Sequence, residues 1–581
     1  MLFLPINKGE VNHTLDIIII TGDAYIDHPS FGPVLIARYL EKHGFTVGII
    51  AQPDWKKDDD FLALGRPNLF FGISSGNLDS MVANYTADKK IRRTDMYTPE
   101  GVSGKRPDRA TIIYTNKVKA LFPGGKTVLG GVEGSLRRFA HYDYCDDSVR
   151  RPILFDTKAD LLVYGMAEMG ILEIAKRMKE SQKKGIEPNF LDIPNGTMIL
   201  KDISHLKNYI LLPSFEEVKD NKEKYAEAFK LYYNEGRKKH PRTIVQPCQG
   251  RYLVVSPPHQ MTTEELDSIF ELDFMRSPHP IYGDKKIPAW DFVKFSTISH
   301  RGCFGGCSFC AISQHQGKYI TSRSEESIAK EVKTKIIPQK EFKGTILDIG
   351  GPTANMYQME CIQEEGCTKS SCIYPTICPN LKLDHKPLLK MLKNVRNLAG
   401  VKHLFSNSGI RYDMAINDPE YLEELTNNLT SGQLSVAPEH ICEDVLSLMG
   451  KPGIKAFENF KDKFNELSEK SGKKQFLIPY FISSHPGSTL DDALKLALYL
   501  KKEGLKVEQV QNFTPTPMTV STCMYHTGLD PFTGKKIHVP RGEERSLQRA
   551  LLQPTLKKNK RQVIKALTVL NRRDLIKLFL G

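Results

Sequence analysis

The sequence predicts an α/β protein: an N-terminal doubly wound parallel sheet, a partial β/α barrel, and a short basic helical C-terminal extension. Three observations carry this. Apolar runs of strand length alternate with amphipathic segments from Leu15 onward, and a second such series follows Pro278, Pro280 and Pro288. Lys and Arg then gather at the end of the chain. Alternation of this kind implies parallel strands joined by crossover helices. The expected boundaries are 1–285 for the N-terminal α/β domain (180–285 as a bridging segment), 286–535 for the barrel and 536–581 for the tail.

Taken in order, Leu15–Thr21 reads as a strand, Gly32-Pro33 as a loop, and Leu35, Ile36, Tyr39 and Leu40 as one face of a helix. Gly44 suits its C-cap, and Phe45–Ile50 the next strand. Leu69–Ser74, Lys126–Leu129 and Leu161–Tyr164 follow as strands, and Ala167–Lys179 as a helix. In the bridge, Asn221–Lys239 reads as helical, Tyr252–Val255 as a strand, and Thr262 as a helix start. Asp291–Ile298 reads as a half-buried strand, and Glu325–Ile336 as a helix capped by Ser324.

A chain of 581 residues with 40% hydrophobic content has room for two or three packed cores. No run of about 18 apolar residues is present, so no membrane span is expected. The N-terminus lacks a basic region with a long apolar core, so no signal peptide is expected. Eleven cysteines, most of them mid-chain, suit metal ligation in a reducing cytoplasm. The net charge is +13, and residues 541–581 hold 11 Lys/Arg against 3 Asp/Glu, a local +8. This tail reads either as an RNA- or ribosome-contacting surface or as a solvated basic helical face. The absence of stacking aromatics there favours the solvated face.

The chemistry is concentrated in His300-Arg301-Gly302-Cys303-Phe304-Gly305-Gly306-Cys307-Ser308-Phe309-Cys310. Cys303, Cys307 and Cys310 are spaced C-x3-C-x2-C, with an aromatic before the third. Three thiolates suit three irons of a [4Fe–4S] cluster and leave the fourth open. A tetrahedral zinc completed by His300 or His315 is the alternative. The pattern resembles the signature of the radical S-adenosylmethionine (SAM) superfamily, and a loop between a strand and its helix is where a β/α barrel puts its active site.

Gly344–Ile349 reads as a strand ending in Gly350, Gly351, Pro352 and Thr353. This turn resembles the glycine motif that receives the SAM amino group, with Pro352-Thr353 where an acidic residue is usual. Arg411 is a candidate for the SAM carboxylate, because a guanidinium meets a carboxylate in two hydrogen bonds, or else part of a structural ion pair. His403–Ser406, Gln433–Val436, Gln475–Tyr480 and Val510–Pro515 read as later strands. The turn His485-Pro486-Gly487-Ser488-Thr489 resembles that of methylthiotransferase-like radical SAM proteins. A second thiol group, Cys361, Cys367, Cys372 and Cys378, suits an auxiliary iron–sulfur cluster or a zinc, with a bare surface loop or a disulfide as the alternative. Cys442 and Cys523 stand alone and read as structural thiols.

The first domain resembles the cobalamin-binding domain of some radical SAM enzymes. The D-x-H-x-x-G pattern that would ligate cobalt is absent, since Asp27-His28-Pro29-Ser30-Phe31-Gly32 has the wrong spacing. Cobalamin is therefore not expected. Gly130-Gly131-Val132-Glu133-Gly134-Ser135 is a glycine-rich turn able to cradle a ligand or simply to turn the chain.

Together with Ser-Val-Ala-Pro-Glu-His and Phe-Thr-Pro-Thr-Pro-Met, these phrases resemble the YgiQ family of radical SAM proteins across nearly the whole chain. The resemblance implies a [4Fe–4S] cluster, SAM as cofactor, reductive SAM cleavage, an electron donor such as flavodoxin or ferredoxin, and no settled substrate. RNA or a ribosome-associated protein is the expected target. A small metabolite, with cobalamin assisting, is the alternative; a metal-stabilised scaffold is the least expected reading.

Overall fold

The computed structural model of the protein describes residues 2–363, 367–505 and 510–580. Its first layer is a nine-stranded sheet. The strands are β1 (Ile17–Thr21), β2 (Val47–Ala51), β3 (Phe70–Ser74), β4 (Thr127–Leu129), β5 (Leu161–Val163), β6 (Gly196–Leu200), β7 (Tyr209–Leu211), β8 (Thr243–Cys248) and β9 (Arg251–Val255). They run in the order β7-β8-β9-β6-β5-β4-β3-β1-β2. β1 lies between β2 and β3 and is buried at every residue. That is why its sequence is an unbroken apolar run rather than an alternating one. Helix α1 (Gly32–Lys42) covers one face with Val34, Leu35, Tyr39 and Leu40, and α2 (Glu168–Lys184) packs beside it.

Two expectations change here. Gly32-Pro33 is the first turn of α1 rather than a loop, because proline's fixed φ suits a helix start. Residues 180–285 are the second half of the sheet rather than a bridge. β2-β1-β3-β4-β5 are parallel, but β5–β6, β6–β9 and β9–β8 are antiparallel. The hairpin β8–β9 turns on Gln249 and Gly250, both at positive φ, which folds the chain straight back, while the edge pair β7–β8 is parallel.

The barrel half contains β10 (Ser296–Ile298), β11 (Thr345–Ile346), β12 (Asp348–Gly350), β13 (His403–Leu404), β14 (Gln433–Glu439), β15 (Phe476–Ser483) and β16 (Val510–Asn512). The pairs β10–β12, β11–β13, β14–β15 and β15–β16 are all parallel. Residues 291–298 do not form one strand. Pro288 opens helix α3 (Pro288–Val293), which carries Asp291 to Val293, and only Ser296–Ile298 enters the sheet. The 344–349 run splits at Leu347, so that β11 and β12 pair with different neighbours. Helix α4 (Glu325–Glu331) continues as a π turn through Ile336, and the Ser324 hydroxyl accepts the Ser327 N–H as its cap.

The C-terminal helices are not a loose tail. Helix α5 (Leu490–Lys502) buries Leu494 and Ala497 against Leu547 and Leu551 of α6 (Glu543–Leu552) and Val563 and Leu567 of α7 (Lys560–Val569). Lys557, Lys558, Lys560 and Arg561 stay exposed.

Buried ionic groups join the two halves. Glu331 of α4 takes Arg276 and Arg323 on its two carboxylate oxygens and accepts the Thr297 hydroxyl at 2.5 Å. Arg301 pairs with Glu168 of α2 at 2.8 Å.

Burial also sets a pH dependence. His141 and His440 are pushed down to about 4, chiefly by loss of water. Unfolded, each returns to its ordinary value near 6.5. Between these values the unfolded chain binds more protons, so stability is complete above about pH 6.5 and falls toward pH 4. Each group contributes on the order of 3 kcal/mol across the full interval. Urea midpoints are expected to drop from pH 7 to pH 5; equal midpoints would refute this.

Candidate active site

The cysteine loop leaves β10 under tight control. Ser299 N–H donates to the Gly350 carbonyl at 2.7 Å, and His300–Arg301 pairs antiparallel with Thr321–Ser322. The 302–320 segment is thus closed at its base. Cys303, Cys307 and Cys310 are all partly buried. Cys310 N–H donates to the Cys307 carbonyl at 3.1 Å, and Cys307 lies within electrostatic reach of both other thiols. Gly306, at φ +67°, sits under the Ser370 carbonyl where a side chain would collide. Ser308 ties the loop to distant segments: its N–H donates to the Met449 carbonyl, and its carbonyl accepts the Ser521 N–H, both at 2.9 Å. Phe309 packs on a small core of Val445, Leu446 and Met449, which explains the aromatic before the third cysteine.

Burial pushes the Cys310 thiol up to about 12 and raises Cys303 as well. These thiols need a strong positive partner to ionise. Arg411 supplies one charge. Its Nη1 lies 3.5 Å from Cys307 Sγ, while Nε and Nη2 grip Asp413 at 2.8 and 2.6 Å. Burial opposes charge on both partners, yet each holds the other ionised: Arg411 is raised and Asp413 lowered. The guanidinium fork is therefore taken up by Asp413 within the chain. Thr353 Oγ1 lies 3.7 Å from Cys303 Sγ, so the glycine turn and the cysteine loop meet.

Three thiols on one loop, closed at its base and with a guanidinium beside the middle one, are a donor set that suits a cluster. Among the described residues no three His, Cys, Asp or Glu side chains are placed to hold a single metal ion. His315 turns its Nδ1 to Ser135 at 3.2 Å, and His300 turns its Nδ1 to Ser299 at 2.9 Å.

A cavity of about 490 Å³ lies between the sheet and the barrel. Gly350, Gly351 and Pro352 form part of one wall, and Gly130, Gly131 and Val132 part of the other. The glycine-rich turn of the first domain and the glycine turn after β12 thus face one space. Arg301 and Glu168 also line it, and Glu168 Oε2, buried, has no hydrogen-bond partner among the described residues. His28 is fully buried, with its Nδ1 near the Ser30 N–H and its Nε2 near Arg276, both at 3.2 Å.

Sequence reasoning missed Asp348 and Glu168. Asp348 accepts the Asn407 and Ser408 N–H groups at 2.9 and 3.1 Å and so shapes a second loop of the cavity. Its one sequence signal is an acidic residue inside an apolar strand. Glu168 sits at an ordinary helix start and gives no signal.

The second thiol group lies beside the first. Cys372 and Cys378 are buried and Cys361 and Cys367 partly so. Cys372 N–H donates to the Phe304 carbonyl at 3.1 Å. Cys523 is buried and Cys442 partly buried.

Residues 3–296 match the family described as Radical SAM N-terminal, residues 297–500 the Radical SAM superfamily, and residues 508–578 a domain of unknown function. A UPF0313 protein of Clostridium botulinum (strain 657 / Type Ba4) is 49% identical over 99% of this chain and 91% of its own. One from Geobacter sulfurreducens is 48% identical over 100% and 97%, respectively. Among solved structures, the radical SAM methyltransferase TsrM from Kitasatospora setae is 13% identical, with a TM-score of 0.48 over 87% of this chain and 75% of that one. No helix among the described residues is long and apolar enough to cross a membrane. On its full-length relatives and its domain matches, the chain belongs to the UPF0313 family and is an enzyme of the radical SAM superfamily.

Proposed function

We propose that the protein cleaves SAM reductively and uses the resulting radical in the cavity between its two halves. The observation that carries this is the convergence of the Cys303/Cys307/Cys310 loop with Thr353 and Arg411, next to His300, Arg301 and Gly350 to Pro352, which line that cavity. Cys303, Cys307 and Cys310 would hold a [4Fe–4S] cluster. Such a cluster would supply, given one electron from a reductant, cleavage of the C5′–S bond of SAM to methionine and a 5′-deoxyadenosyl radical. The chain does the rest. Arg411 offsets thiolate charge at Cys307, Gly350, Gly351, Pro352 and Thr353 shape the SAM turn, and the cavity walls keep water from the radical. A flavodoxin or ferredoxin is the proposed electron donor. The test is anaerobic reconstitution with iron and sulfide, then dithionite: 5′-deoxyadenosine is expected, and a folded, iron-loaded protein that never forms it sinks the proposal.

The turn has a specific test. A methyl on Gly351 would stand 2.6 Å from His300 Nε2 and 2.8 Å from its carbonyl. Gly351→Ala is expected to weaken SAM binding about tenfold or more, roughly 1.4 kcal/mol, with iron content retained. Equilibrium dialysis with SAM checks it, and unchanged affinity would remove this turn from the SAM site.

Two substrate readings have separate support. Exposed Lys557, Lys558, Lys560 and Arg561 favour RNA or a ribosome-associated protein. RNA affinity should then fall steeply with salt; salt-independent or absent binding removes this reading. The cavity, with the unpaired Glu168 Oε2 on its wall, favours a small molecule carrying a hydrogen-bond donor. Cobalamin has no cobalt-ligating histidine in reach at His28, whose ring nitrogens already face Ser30 and Arg276.

A further inference from the structure

We propose that Cys361, Cys367, Cys372 and Cys378 hold a second iron–sulfur cluster, apart from the one assigned to the 303–310 loop. The segment is folded to bring its thiols together. Cys361 pairs antiparallel with Leu381, which closes the two ends. Cys378 N–H donates to the Cys372 carbonyl at 2.8 Å and returns the chain on itself. Ser371 Oγ accepts the Ile373 and Tyr374 N–H groups at 3.1 and 3.0 Å, fixing the turn between the two buried cysteines. Cys372 then lies within electrostatic reach of the other three thiols.

Charge gives an independent argument. Lys318 is only 4% exposed. Its ammonium donates to the Lys369 carbonyl at 2.8 Å and faces Cys367 Sγ at 3.4 Å. Lys369 Nζ in turn faces Cys378 Sγ at 3.5 Å. A buried ammonium such as that of Lys318 is favoured beside an anion, and a neutral thiol is not one. Four thiolates around an iron–sulfur core carry net negative charge and would pair with Lys318, with the exposed Lys369 beside them.

The neighbouring loop favours a redox-active group over zinc: the segment backs onto the loop assigned to the first cluster, through the bond from Cys372 to Phe304 and the carbonyl of Ser370 over Gly306.

The experiment uses the full chain, reconstituted anaerobically with ferrous iron and sulfide, and the variant Cys303→Ala/Cys307→Ala/Cys310→Ala. That variant is expected to keep about four irons and four sulfides with the Mössbauer signature of a [4Fe–4S] cluster, whatever becomes of SAM cleavage. A folded variant that binds no iron, or one zinc that iron does not displace, overturns the proposal. Should the variant not fold, Cys361→Ala/Cys367→Ala/Cys372→Ala/Cys378→Ala decides. It is expected to lose about four irons relative to wild type, and an unchanged iron count overturns the proposal.

Discussion

Cys307→Ala is expected to abolish 5′-deoxyadenosine formation, and Cys307→Ser to leave only a trace. Cys307 is the middle thiol of the loop, in electrostatic contact with both neighbours and 3.5 Å from the Arg411 guanidinium. Its removal leaves two thiols, too few to keep a cluster in place. It also leaves Arg411 with Asp413 as its remaining charged partner, so the fold itself should be little disturbed. The same experiment therefore separates chemistry from folding: circular dichroism unchanged, 303–310 cluster iron lost, and SAM turnover gone. Turnover within tenfold of wild type would show that this loop does not do the chemistry.

Glu331→Ala is expected to be the most destabilising single change, at about 3–5 kcal/mol. Glu331 is buried and holds two buried arginines, Arg276 from the first half and Arg323 from the barrel. Without it, two guanidinium charges would lie close together out of water. Thr297, next to the cysteine loop's entry strand, would lose its acceptor too. Glu331→Gln should recover part of the loss by keeping the hydrogen bonds while discarding the charge. Urea unfolding of the three proteins checks the order wild type, Gln, Ala; a Glu331→Ala midpoint equal to wild type would show that the group carries no net stabilisation.

The cysteine loop was legible because its three thiols and its aromatic lie within eight consecutive residues. So were the buried parallel strands, since burial on both faces leaves an unbroken apolar run such as Ile17–Ile20. The strand proposed over 291–298 failed because Pro288 starts a helix whose apolar residues have no clear period over six positions. In the second half of the sheet Tyr252–Val255 was legible, but its two-residue hairpin to β8 and the three-residue β7 were not. The cavity could not be read at all. Its walls come from residues such as Gly131, Glu168, Arg301 and Gly351, which lie far apart in the chain, and no local pattern announces a contact made only by tertiary packing. Arg411 shows the same limit: sequence supplied the guanidinium, but only packing supplied Asp413 and Cys307 as its partners.

The anchoring of Ser308 to Met449 and Ser521 bears on how the protein is made. Synthesis proceeds from the N-terminus, so the loop's own residues emerge long before the two segments that hold it in place. Its final shape has to wait until residue 521 has cleared the ribosome. Until then the three thiols sit on an untethered stretch, open to oxidation and to stray metal. A cell making this protein has reason to deliver iron and sulfide to the finished chain rather than to the growing one.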